Sequence, residues 1–134
     1  MSEADLAIGT FTTALRRLEE GIRFTREDET EENLLKRDGV IQRFEFTFEL
    51  LWKTLKIVLE GKGILCKAPL ECLREAFRLG LIQDETAYVQ MLKDRNKTSH
   101  LYSKDQADDI FENIKSIHLP KMQELLATLI KNPS

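Results

Sequence analysis

The chain has 134 residues, of which 42% are hydrophobic and 32% charged, with a net charge of −3. That length predicts a single domain over residues 1–134, with room for one real hydrophobic core. The acidic balance argues against a surface built to coat nucleic acid, but leaves room for a local basic pocket, because net charge averages over the whole surface. No apolar run approaches the ~18 residues of a membrane span. The opening Met1-Ser2-Glu3-Ala4-Asp5 is too acidic and polar for a secretory signal. A cytoplasmic protein is therefore expected. Cys66 and Cys72 form no metal-type cluster and, with no export signal in view, are expected to be reduced and structural.

The first helical pattern is Ala4, Ile8, Phe11, Leu15, Leu18 and Ile22. Alternating steps of three and four residues put these side chains on one stripe. Thr25 to Glu29 reads as a solvated charged turn, and Thr30 can cap a second helix. That helix runs to about Glu60, with Gly39 a point of local loosening. Phe44, Phe48, Leu51, Trp52, Leu55, Val58 and Leu59 cover one broad face. At ~100° per residue, Phe46, Leu50 and Ile57 fall nearly opposite. This second face is either a subunit interface or the packing surface for other helices of the same chain.

Gly61 and Gly63 end the helix. Pro69 suits the first turn of a helix from Leu70 to Leu79, closed by Gly80 with Leu81 as the hydrophobic contact. Asp84 can cap a fourth helix carrying Tyr88, Met91, Leu92 and Arg95. Ser103 and Gln106 form a capping box, so a fifth helix starts just after Ser103. Its stripe is Ala107, Ile110, Phe111, Ile114 and Ile117, and it continues in Leu125, Leu126, Leu129 and Ile130. Pro120 should kink it. No segment shows strand alternation. The expected fold is all-α, an antiparallel up-and-down four-helix bundle with one additional short helix.

Chemistry concentrates in Arg95-Asn96-Lys97-Thr98-Ser99-His100-Leu101-Tyr102. Five residues apart on a continuous helix, Arg95 and His100 would be rotated by ~140° and would not share a face. If the helix ends near Ser99, His100 can fold back towards Arg95 over the terminal carbonyls, where cations are favoured. A guanidinium can grip phosphate oxygens and an imidazole can move a proton near neutral pH. An RNA 2′-OH could then attack the neighbouring phosphate with no metal. One chain supplies one such His, because His118 lies far away on the fifth helix; two copies about a two-fold axis would supply an acid and a base. From spacing alone, capping of helix carbonyls is the commoner role for such an Arg and His, and Tyr102 would more often be a packed, hydrogen-bonded anchor. His118 reads as a bland helix residue. Glu45, Glu49, Lys53 and Lys56 read as a solvated face with a Glu49–Lys53 pair. No metal-ligand cluster, phosphate-binding Gly loop or nucleophile elbow is present, so no metal or cofactor is expected.

At these residues the chain resembles a known family. Arg95-x4-His100-x-Tyr102, with Asn96 directly after the Arg, is similar to the HEPN motif, in the branch of nucleotidyltransferase substrate-binding proteins. Gln42 to Lys56 looks like that branch's second helix, and Leu73 to Ile82 like its next helix and turn. The resemblance implies a helical bundle that forms homodimers and associates with a minimal nucleotidyltransferase. It implies a toxin–antitoxin pair in which this chain is a metal-independent ribonuclease, with Arg95 and His100 catalytic and Asn96 supporting. It further implies Tyr102 as the acceptor of adenylyl groups that silence the toxin. The competing reading is a non-catalytic subunit that docks the nucleotidyltransferase and presents a substrate or nucleotide. A third is a helical scaffold whose site has decayed, which an intact Arg95, Asn96, His100 and Tyr102 disfavour. Two small departures are Ala68, a poor N-cap, and Tyr88, where the branch suggests Trp. The basic neighbours Lys93, Lys97 and Lys104 could supply a local positive field for RNA.

Overall fold

The computed structural model describes residues 1–131, and every regular element among them is helical. Helix α1 spans Glu3–Arg23 and starts in a capping box, where Asp5 N–H donates to Ser2 Oγ and Ser2 N–H returns a bond to Asp5 Oδ2. Its stripe is inward as expected for Ala4, Phe11, Leu15 and Leu18, while Ile8 and Ile22 sit at the rim of the core and Ala14 joins the buried set. Ala14 is inside because α1 and α2 approach closely, with Thr54 Oγ1 donating to Ala7 O across the contact and Thr47 Oγ1 near Ala14 O.

Helix α2, Glu31–Gly61, is capped by Thr30, whose Oγ1 accepts from Asn33 N–H, and it runs through Gly39 without interruption. The Asn33 amide turns back to hold the preceding loop, accepting from Arg26 N–H and donating to Asp28 O. Phe44, Phe48, Leu51, Leu55 and Leu59 are completely buried on α2. The opposite face divides. Phe46 is 59% exposed, whereas Leu50 and Ile57 are partly buried against the core of their own chain.

The cysteine expectation is corrected here. Cys66 and Cys72 form a disulfide, with Cα atoms 5.3 Å apart. The reason is local: the loop after α2 and the first turn of helix α3, Pro69–Arg78, bring two buried side chains together across a cap that Ala68 cannot make. Lys67 N–H is satisfied instead by the Glu71 carboxylate. Helix α3 ends as the sequence predicts. Gly80, at φ +81°, lets Gly80 N–H reach Phe77 O and Leu81 N–H reach Ala76 O.

Helix α4, Glu85–Lys97, is capped by Asp84 and passes into a 3-10 turn, Thr98–His100. Ser103 and Gln106 form the expected capping box for helix α5, Lys104–Asn113. A π-helical segment, Ile114–His118, joins α5 to helix α6, Leu119–Lys131. The kink expected at Pro120 is thus taken up in the turn before it, where the missing N–H would otherwise have bonded. The wider turn also corrects the predicted stripe: Ile117 rotates out, 42% exposed, and His118 rotates in, fully buried. Tyr88 is buried and donates to Lys121 O at 2.7 Å, bracing α4 against the start of α6. Helices α1 and α6 pack together, while α2 contacts α1, α3, α4 and α5. Arg37 ties α2 to α5 through Asp108 at 2.9 Å.

Candidate functional site

The end of α4 divides the predicted site residues into two groups. On one side, Arg95 points at α2. Its Nη1 lies 3.4 Å from Glu45 Oε2 and donates to Thr98 Oγ1, and its buried Nε lies 3.8 Å from Glu49 Oε1 without a hydrogen bond. Glu45 and Glu49 are therefore not merely a solvated face. Glu49 does pair with Lys53, at 3.9 Å, but it also accepts from Trp52 Nε1 and faces Arg95. On the other side, His100 and Tyr102 come together. His100 Nδ1 is 3.3 Å from the Tyr102 hydroxyl, and the rings are tilted by 43°. Tyr102 is 84% exposed, so it is a presented side chain and not a packed anchor. Within one chain, Arg95 and His100 share no hydrogen bond. The fold turns the guanidinium towards α2 and leaves the imidazole at the end of the 3-10 turn, beside Tyr102.

Local chemistry explains this division. Thr98 Oγ1 donates to Arg95 O, so the last turn of α4 is closed by a side chain and the Arg is turned inward. Gln106 Oε1 accepts from both Tyr102 N–H and Ser103 N–H, so the residues just before α5 are fixed by the same cap that starts the helix. Tyr102 thus has an anchored backbone and a ring that reaches into solvent. Asn96, His100 and Tyr102 line a cleft of about 880 Å³ between the end of α4 and α5.

Beneath that cleft is a cluster that sequence reasoning missed. Asp94, only 1% exposed, receives Gln90 Nε2 at 3.0 Å on Oδ1, and Asn113 Nδ2 at 3.1 Å and His118 Nε2 at 2.7 Å on Oδ2. Burial pushes this carboxyl upward, but the hydrogen bonds from His118, Gln90 and Asn113 outweigh it and hold Asp94 below the usual carboxylate range. His118 is not bland. Its ring stacks on Phe44 at 5.3 Å, and its Nδ1 is buried with no hydrogen-bond partner among the described residues. Asp94 and His118 are 24 residues apart, so no local pattern could have joined them. Of the basic neighbours, Lys104 is committed to Asp108 and Glu29, while Lys97 lines the cleft.

The family described as "Nucleotidyltransferase substrate binding protein like" matches residues 6–131, and the chain belongs to that family. A Haemophilus influenzae protein described as "Probable ribonuclease HepT" is 37% identical over 81 residues, covering 57% of this chain and 56% of that protein. That match therefore spans about half of the relative's length. Two solved structures share the fold. A Thermus thermophilus protein is 33% identical with a TM-score of 0.72, over 90% of this chain and 96% of that one. HI0074 from Haemophilus influenzae, described as having the fold of a substrate binding domain of a nucleotidyltransferase, is 28% identical with a TM-score of 0.82, over 92% and 98%. Among the described residues, no helix is long and apolar enough to cross a membrane.

Proposed function

We propose that this chain acts in the cytoplasm as the HEPN-type partner of a minimal nucleotidyltransferase, and that it is the toxin of a toxin–antitoxin pair. Each copy is an antiparallel up-and-down four-helix bundle with one additional short helix. Two copies pair about a two-fold axis, through the α2 face on which Phe46 is exposed and Leu50 and Ile57 are partly buried, into a metal-independent endoribonuclease. Arg95 holds the scissile phosphate and Asn96 supports it. One His100 takes the proton of the RNA 2′-OH as its oxygen bonds to phosphorus. The His100 of the second copy returns a proton to the 5′-oxygen as the old P–O bond breaks, leaving a cyclic phosphate and a free 5′-OH.

The observation that carries this reading is the contact between His100 Nδ1 and the Tyr102 hydroxyl at 3.3 Å on an exposed rim. It joins the proton-transfer group to the group that would be modified. In the silencing step the Tyr102 oxygen attacks the α-phosphorus of ATP. The bond to the β-phosphate breaks, pyrophosphate leaves, and the phenolic proton can pass to His100. The new anion then sits where RNA phosphate would bind. The descriptions of the relatives, a probable ribonuclease and a nucleotidyltransferase's substrate binding domain, support the two halves of the proposal.

A second reading is favoured by one observation. In a single chain, Arg95 is already matched by Glu45 and Glu49 and is turned towards α2 and not towards His100. A purely docking or nucleotide-presenting subunit would need no more than that. RNA cleavage in EDTA separates the two. We expect the wild type to cut and His100→Ala to be slower by roughly 10²–10⁴-fold. Equal cutting by the two proteins would reject the assignment.

A further inference from the structure

The cleft beside Tyr102 has an uneven chemistry. Its exposed rim carries Lys97, His100 and Tyr102. Its inner wall carries Asp94, Gln90 and Asn113. The buried Asp94 carboxylate decides which way the two amides face. An ionised carboxylate only accepts, so both amides must turn their NH₂ groups towards it, as the 3.0 Å and 3.1 Å contacts show. The amide carbonyl oxygens, Gln90 Oε1 and Asn113 Oδ1, then take no hydrogen bond from the described residues, and both side chains line the cleft. Asp109 adds a carboxylate and Ile110 an apolar wall to the same lining. A phosphate placed against this inner lining would meet the Asp94 and Asp109 carboxylates, which is repulsive. A flat group bearing N–H donors would meet matched oxygens and an apolar side chain.

We propose that this cleft is a nucleobase-binding subsite that selects a base bearing an exocyclic amino group, with the attached phosphate lying outward at Lys97, His100 and Tyr102. At about 880 Å³ the cleft falls within the size range of small-molecule pockets. The subsite rests on the reading that Tyr102 receives a nucleotide: the base of the transferred unit would fold back into the cleft and hold the phosphate over His100. Asp94 acts as a positioning residue through the two amides, and His118, bonded to Asp94 from the π-helical segment before α6, fixes the carboxylate.

The test compares free mononucleotides binding to the full chain by titration calorimetry, with amide shifts mapping the location. AMP should bind roughly tenfold tighter than IMP, and CMP roughly tenfold tighter than UMP, since each second member sets a carbonyl oxygen against the amide oxygens where the amino group donated and keeps an N–H on that edge only at the ring nitrogen. Gln90→Leu should reduce that ratio towards unity. Asp94→Asn, which allows the amides to turn round, should reduce or reverse it; Gln90→Leu keeps the test valid if the Asp94 variant folds poorly. Equal affinities in the wild type, no binding at millimolar concentration, or shifts confined to other helices would each overturn the subsite. Labelling of Tyr102 by a partner nucleotidyltransferase is scored separately. A labelled Tyr102 with no amino-base preference removes the subsite and leaves the nucleotidylation reading standing. A clear preference without labelling removes the nucleotidylation reading and leaves a nucleotide site.

Discussion

The two histidines of the chain have opposite surroundings. His118 is completely buried, stacked on Phe44, and bonded to a carboxylate that has three partners. His100 is exposed, and its polar neighbour is the hydroxyl of an exposed tyrosine. Asp94 and Arg95, adjacent in sequence, mark the divide: the first serves the interior and the second faces the carboxylates of α2. An imidazole locked in a buried network gives architecture, because every change of protonation there disturbs several bonds. One held loosely at a rim can exchange protons with a ligand. The same residue type therefore braces the fold at the buried position and is available for chemistry at the exposed one.

Substitutions at both positions put that contrast to the test. The largest loss of stability should follow His118→Ala, which leaves Asp94 short of a donor and opens a cavity beside Phe44. We expect a cost of about 3–5 kcal/mol in denaturant unfolding. Cys66→Ser tests a site away from both histidines and should cost about 2 kcal/mol, as expected for opening a short disulfide loop. Acid should expose the buried hub. Asp94 is held below its unfolded value, so its contribution is present above about pH 4 and is lost as pH falls through the folded value. Unfolding measured from pH 6 down to 2 should show that loss, and Asp94→Asn should flatten it. The smallest effect should be His100→Ala, which ought to change stability by no more than about 0.5 kcal/mol. A large loss there would mean that the exposed histidine is structural after all.

Much of the fold was legible in the sequence. Thr30, Asp84 and the Ser103–Gln106 box all cap the helices they were expected to cap, because a cap is a local hydrogen bond between residues a few positions apart. Gly80 was readable for the same reason. What the sequence hid was non-local or depended on register. The π-helical turn before Pro120 exchanged Ile117 for His118, and a fixed period cannot anticipate one added residue in a turn. The pairing of Asp94 with His118, and of Arg95 with Glu45 and Glu49, depends on which helices pack together. The disulfide depended on the path of a loop that composition does not describe. In the site, the His100–Tyr102 pair follows from a two-residue spacing at a helix end, while Arg95 and His100 share no hydrogen bond within one chain.

The most direct test measures RNA cleavage in EDTA by the same protein before and after treatment with ATP, Mg²⁺ and its nucleotidyltransferase, with intact mass recorded on each sample. We expect wild-type protein to gain nucleotidyl mass on Tyr102 and to lose cleavage in proportion, while Tyr102→Phe gains no mass and continues to cut. Undiminished cleavage by fully labelled protein would contradict the claim that His100 and Tyr102 form one site.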